Sequence, residues 1–299
     1  MKKSVSLLLA GLMLCGALAG CGGNNNTAEN TDSQTEQTSE STGTSGAIHV
    51  VSREDGSGTR GAFVELTGVE DDNGDNTTVD AEIANRTDAV LTTVAGNEAA
   101  IGYVSLGSLN DTVKAVTVDG VEATVDNVKS GTYTLSRPFN IATKGEPTGV
   151  AEDFINFILS ADGQAIVEEE NYIKVDDAAP AFTSDGSSGQ IAVGGSSSVS
   201  PVMEKLIEAY EAVNPNAQIE LQTSDSTSGM TGAMDGTFAI GMASRELKDE
   251  EAAQLTGTAI ALDGIAVIVN TANTVENLTM DQIRSIYVGE TTDWSEVAE

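Results

Sequence analysis

From Ile48 to Val288, short runs rich in Val and Ile alternate with stretches of helical period, and this alternation restricts the fold more than any other feature. Strands are expected at Ile48–Ser52, Ile101–Ser105, Phe139–Thr143, Ile191–Val193, Ile219–Gln222, Phe238–Met242 and Leu262–Asn270. Helices are expected from Gly61–Leu66, over Thr87–Ala95, Val150–Leu159, Gly163–Glu170, Pro201–Val213 and Met280–Val288. In the third of these, Val150, Phe154, Ile155, Ile158 and Leu159 share one helical face. Strands separated by helices imply an α/β fold. Asp119-Gly120, between Val113–Val118 and Val121–Ala123, is a hairpin signal. A Gly/Ser-rich break lies at Thr183–Gln190.

The N-terminus reads as an export signal. Lys2 and Lys3 precede an apolar core from Leu7 to Leu18, followed by Leu18-Ala19-Gly20-Cys21. The stretch is short for a stable membrane span. The ending resembles a bacterial lipobox, which implies that Cys21 is lipidated. Residues 22–46 hold no large apolar side chain and read as a flexible polar tether. Together these place a globular domain on the extracellular face of the cytoplasmic membrane, and they exclude a transmembrane permease or channel.

Charge excludes further classes. Acids outnumber bases 46 to 14, a formal net charge of −32. Nucleic acid is not an expected partner, because its phosphates need Lys and Arg to replace counterions. Cys15 and Cys21 are the only cysteines and His49 the only histidine, so no disulfide framework, Cys-based zinc site or multi-His metal site is expected. No cofactor is expected.

Three Ser/Gly loops stand at strand-to-helix turns. The first is Arg53-Glu54-Asp55-Gly56-Ser57-Gly58-Thr59-Arg60-Gly61; the second is Gly194-Gly195-Ser196-Ser197-Ser198-Val199-Ser200-Pro201; the third is Ser226-Thr227-Ser228-Gly229-Met230. Each on its own reads equally as a helix cap. Three together point to a shared ligand. Backbone N–H groups and hydroxyls at helix N-termini suit an anion, and Arg53 adds charge. None carries Gly-Lys-Ser/Thr, which argues against ATP or GTP.

The strings VVSREDGSGTRGAF (50–63), AIGYVSLGSL (100–109), VDGVEATVDNVKSGTYTLSRPF (118–139), GGSSSVSPVMEKL (194–206), IGMASRELKDEE (240–251), ALDGIAVIVN (261–270) and NLTMDQIRSIYVGETTDWSEV (277–297) resemble the phosphate-binding lipoproteins of bacterial ABC transporters. The order of the strings differs from the usual family order, in which GGSSSVSP comes first and VVSREDGSGTR follows WSEV. The resemblance implies a two-lobed, periplasmic-binding-protein-like (type II) α/β fold, and the order implies that it is circularly permuted or, as the alternative, a fragment of a tandem or rearranged gene. It divides the chain into a signal (1–20), lipidated Cys21 with tether (21–46), a split lobe (47–138 plus 269–299) and a continuous lobe (139–268). Phe139–Thr143 and Ile265–Asn270 resemble the hinge crossings, and Thr183–Gln190 the joint between the family's usual ends.

The resemblance implies a monomeric binding protein, not an enzyme, that captures inorganic phosphate and delivers it to a permease. By its motifs Arg53, Ser57, Gly58, Thr59, Ser197, Ser198, Thr227 and Ser228 bind the anion, with Asp55 orienting Arg53. Many members of the family place an Asp after the Ser of the IGMAS segment, where this chain has Arg245. Arg245 either adds charge or pairs with Glu246 or Asp249. Asp263 is the candidate acceptor for the phosphate proton; facing sulfate, a buried carboxylate would be unpaired. The alternatives are another tetrahedral oxyanion, such as sulfate or molybdate, and a serine hydrolase using Ser57 or Ser198 with His49. Neither serine sits in a Gly-x-Ser-x-Gly elbow.

Overall fold

The structure, a computed structural model, describes residues 44–297. The expected signal, Cys21 and most of the tether lie outside the described residues. The strands used below are β1 (His49–Arg53), β2 (Glu82–Ala84), β3 (Ala100–Ser105), β4 (Val113–Ala115), β5 (Ser136–Thr143), β6 (Gly189–Ser196), β7 (Ala217–Ser224), β8 (Ile240–Ala243) and β9 (Thr256–Asn270). The helices are α1 (Gly58–Thr67), α2 (Thr87–Gly96), α3 (Val150–Ile158), α4 (Ala161–Glu169), α5 (Ser200–Val213), α6 (Ser226–Asp235) and α7 (Met280–Tyr287).

Two sheets share β9. Its first part, Thr256–Gly264, runs antiparallel to β5, and β5 joins β8, β6 and β7. From Ile265 the same strand pairs antiparallel with β3 and then β4, and β3 continues to β1 and β2. The change of partner falls between Gly264 and Ile265. Ile265–Ile268, which the sequence reading puts in the continuous lobe, therefore pair within the other sheet; burial runs on both sides of the switch from Ile260 to Asn270, with Leu262 half-buried, so no alternation marks it. Each sheet has its own core. Phe63, Tyr103, Ile283, Tyr287 and Trp294 pack on one, and Phe139, Phe154, Leu206 and Tyr210 on the other.

Within each sheet β1–β2, β1–β3, β6–β7 and β6–β8 are parallel. A parallel strand followed by a helix presents its carboxyl end and the next helix N-terminus on the same edge. Arg53, Ser196, Ser224 and Ala243 are such carboxyl ends. The fold thus brings the Ser/Gly loops of both lobes to facing edges.

Two local expectations change. Asp119 and Gly120 both take positive φ, as a tight turn needs, and Val118 bridges Val121. The arm before the turn does not form a hairpin: Val113–Ala115 joins β9, and Thr117–Val118 pairs in parallel with Asn277–Leu278. The break at Thr183–Gln190 is shorter than expected, since β6 begins at Gly189. It is also held. Buried Asp153 accepts from Ser184 Oγ (2.7 Å), Asp185 N (3.0 Å) and Tyr210 Oη (2.9 Å), and Asn214 Nδ2 donates to Ser187 O (2.8 Å).

The two ends of the described chain meet. Ala47 bridges Asp293, Ile48 N donates to Thr292 O (2.8 Å) and Trp294 N donates to Gly46 O (3.0 Å). Trp294 is fully buried and its Nε1 donates to Ala99 O (2.9 Å). Its removal leaves a large cavity in the core it shares with Phe63, Tyr103 and Tyr287, while Ala99 O keeps the bond from His49 N (3.0 Å). Trp294→Ala should cost about 3–5 kcal/mol, read from urea unfolding followed by circular dichroism.

Candidate functional site

Loop geometry follows from the strand ends. Ser57 caps α1, its Oγ accepting from Arg60 N (3.3 Å), so Gly58 and Thr59 form the first turn of α1. The helix starts three residues before the expected Gly61. The early N–H groups of a helix lack intrahelical partners and suit an anion. A Cβ on Gly58 would collide with Ser226 Oγ and Ser244 Oγ of the facing lobe. Only glycine lets the N-terminus of α1 come this close.

Buried hydroxyls then meet across the lobes. Thr59 Oγ1 lies 2.8 Å from Ser198 Oγ and 3.4 Å from Ser244 Oγ. Ser196 Oγ donates to Ser244 Oγ (2.9 Å), and Ser226 Oγ accepts from Ser244 N (3.1 Å). Thr87 Oγ1, at the start of α2, is 3.2 Å from Ser198 Oγ and 3.3 Å from Ser197 Oγ. Arg53, 2% exposed, donates from Nη2 to Ser197 Oγ (3.1 Å). Such a set offers several neutral donors and a buried cation to one small anion.

The partner of Arg53 is Glu54, not Asp55. Arg53 Nε and Nη2 bind the Glu54 carboxylate at 2.8 and 2.7 Å. Asp55 is carried outward by the turn into Gly56, is almost fully exposed, and pairs with Arg60 (2.7 Å). The third loop also differs from expectation. Ser226 is the buried hydroxyl of that loop, whereas Thr227 Oγ1 donates to Gly56 O (3.3 Å), and exposed Ser228 donates to Asp225 Oδ2 (2.6 Å). Arg245 pairs with the carboxylate of neither Glu246 nor Asp249, although its Nη1 donates to the Glu246 backbone carbonyl (2.8 Å). Its guanidinium grips buried Glu251 at 2.7 and 2.8 Å.

Beside the change of sheet partner, Arg137 on β5 stands opposite Asp263 on β9. Arg137 Nη2 is 3.1 Å from Asp263 Oδ2 and donates to Thr59 Oγ1 (3.0 Å). The contact with Asp263 is an ion pair rather than an aligned hydrogen bond, since Oδ2 has no hydrogen-bond donor. Ser105 Oγ donates to Oδ1 (2.9 Å). Burial pushes the Asp263 carboxyl up to about 6, against the pull of Arg137 and Ser105. Burial likewise pushes Arg137 down to about 10. The sequence reading misses Arg137, Thr87, Ser226, Ser244 and Glu54. Pro138 hides Arg137, because a proline reads as the start of a strand that in fact begins at Ser136.

His49 stands at the opposite end of β1 from Arg53, about 13 Å away along an extended strand. Its Nε2 is bound to Glu82 Oε2 (2.8 Å), so it serves neither Ser57 nor Ser198 as a base.

A family model described as a PBP superfamily domain matches residues 17–162 and 180–299. The chain is 48% identical over 305 residues to "Phosphate-binding protein PstS 2" of Streptococcus agalactiae, covering 99% of both chains. The chain belongs to the PstS family of phosphate-binding proteins. A crystal structure of a phosphate ABC transporter, phosphate-binding protein from Streptococcus pneumoniae TIGR4 superposes with a TM-score of 0.69 at 46% identity, covering 85% of this chain and 100% of that one. The segment order is thus shared end to end with a PstS 2 relative. The match to the Bacillus subtilis PstS is 37% identical over 134 residues, 44% of this chain and 42% of that protein.

An acid whose folded pKa is raised favours folding in its protonated form. That contribution is complete below about pH 4 and is lost as the pH rises through about 6 for Asp263. Asp263→Asn removes this titration. The difference in unfolding free energy, variant minus wild type, should therefore climb between about pH 4 and pH 6.5 and then level off. Urea titrations at stepped pH measure it; a flat difference would place the titration elsewhere.

Proposed function

We propose that the protein captures inorganic phosphate in the hydroxyl and arginine cluster between its lobes and delivers it to the membrane permease of an ABC transporter. The observation that carries this reading is the contact of Thr59 with Ser198, and of Arg53 with Ser197, across the lobe boundary at the carboxyl ends of parallel strands. A tetrahedral anion with several oxygens needs donors from more than one direction. Both lobes supply them, so binding and closure are one event. The protein is a binding protein and not an enzyme.

Arg53, Gly58, Thr59, Ser197 and Ser198 are read as ligands, with Ser57 shaping the helix start. Ser226 and Ser244 join them, in place of Thr227 and Ser228. Glu54 orients Arg53. Asp263 Oδ2, a buried acceptor without a donor, suits the proton that phosphate keeps near neutral pH and sulfate lacks. The chain works at the membrane; Cys21 is read as its lipidated anchor, holding the domain on the extracellular face.

Calorimetry of the tag-free domain with phosphate and sulfate tests the reading. Arg53→Ala should weaken phosphate binding by at least ~2 kcal/mol, because a buried charge-assisted contact is lost. Unchanged affinity would sink the site. Asp263→Asn should weaken phosphate binding and narrow the phosphate-to-sulfate ratio; an intact ratio would assign discrimination to another acceptor.

A further inference from the structure

We propose that Arg137 is a second arginine that binds the oxyanion directly, supplied by the hinge rather than by a loop of either lobe. The inference rests on the phosphate reading above.

A guanidinium carries five N–H donors. That of Arg137 is buried, at 3% exposure, yet Nε and Nη1 have no partner in the protein. A buried charged group with unused donors is costly to fold and calls for an explanation. Its one aligned bond points to a reason. Nη2 donates to Thr59 Oγ1, the hydroxyl that also touches Ser198 and Ser244. Arg137 is therefore one bond from the centre of the cluster.

Charge leads to the same place. Arg53 approaches the cluster through Ser197, and its charge also bears on Arg137. Each arginine has one carboxylate, Glu54 or Asp263. Those four groups balance formally, so what an anion would complete is hydrogen bonding and the field between two cations. Position adds a functional difference. Arg137 sits on β5 in register with Asp263 on β9, one residue from the change of sheet partner. Hinge segments absorb the rotation between lobes, and residues near its axis are displaced least. Thr59 and Ser198 belong to opposite lobes and separate on opening, while Arg137 keeps its place. It offers charge before closure, and the hydroxyls complete the shell afterwards.

The test is phosphate calorimetry on wild type, Arg137→Gln and Arg137→Lys, with melting curves of each without ligand. Wild type must bind phosphate; if it does not, the reading of phosphate capture fails. Arg137→Gln should bind about tenfold or more weakly, and Arg137→Lys should recover part of that loss. Wild-type affinity in a folded Arg137→Gln overturns the assignment while leaving phosphate capture intact. If Arg137→Gln does not fold, nitrogen-15 spectra of arginine side chains in wild type decide. Phosphate should shift two buried guanidinium signals, one of them absent from Arg137→Lys. A shift of the Arg53 signal alone overturns the proposal.

Discussion

One hydrogen-bonded ladder governs this molecule. The strand Thr256–Asn270 belongs to both sheets and exchanges partners between Gly264 and Ile265. A shift of register there would turn every side chain of one half to the wrong face. The pairing with Ser136–Thr143 sets Asp263 against Arg137, and the pairing with Ala100–Ser105 sets Ser105 against Ile265. Both lobes, and the distance between their loops, inherit their placement from this strand. The buried ion pair adds little to stability in itself, because desolvation offsets the attraction. Its contribution is to fix two charges at the boundary.

A protein of net charge −32 that holds an anion poses no contradiction. Salt screens exposed charges beyond about 8–10 Å. Three acids near the cluster are neutralised locally, Glu54 on Arg53, Asp263 on Arg137 and Glu251 on Arg245. Inside, helix N-termini and hydroxyls set the potential without any net charge. The surface acids then act on solubility and on encounter, not on the bound state.

The fold class was legible because periodicity survives in a single chain: helical faces such as Val150–Leu159 and β-branched runs such as Ile265–Asn270 announce themselves. Loop chemistry was legible where side chain and turn coincide, as at Arg53 and Thr59. What escaped depends on orientation. Asp55 and Glu54 are adjacent carboxylates, and only the turn decides which folds back onto Arg53. Ser226 and Ser228 differ in the same way, by direction around the first turn of a helix. Arg137 lies in one of the strings that carry the resemblance but no local pattern marks it as a ligand, Thr87 lies in none, and the role of both arises from what stands opposite them in space. The strand boundary at 264/265 was invisible because burial on both sides erases alternation.

The pairing of Ala47 with Asp293 has a consequence for how the chain is made. Ile48 leaves the ribosome early, and Thr292, which receives its N–H, arrives some 244 residues later. At about 5–20 residues per second that interval is roughly 12–50 s. During it Phe63 and Tyr103 can stack, but Tyr287 and Trp294, which finish their core, do not yet exist. The intervening lobe can complete its own core meanwhile. The lobe begun first is therefore the last to close, and until then it shows an aromatic face that a cell must keep from sticking.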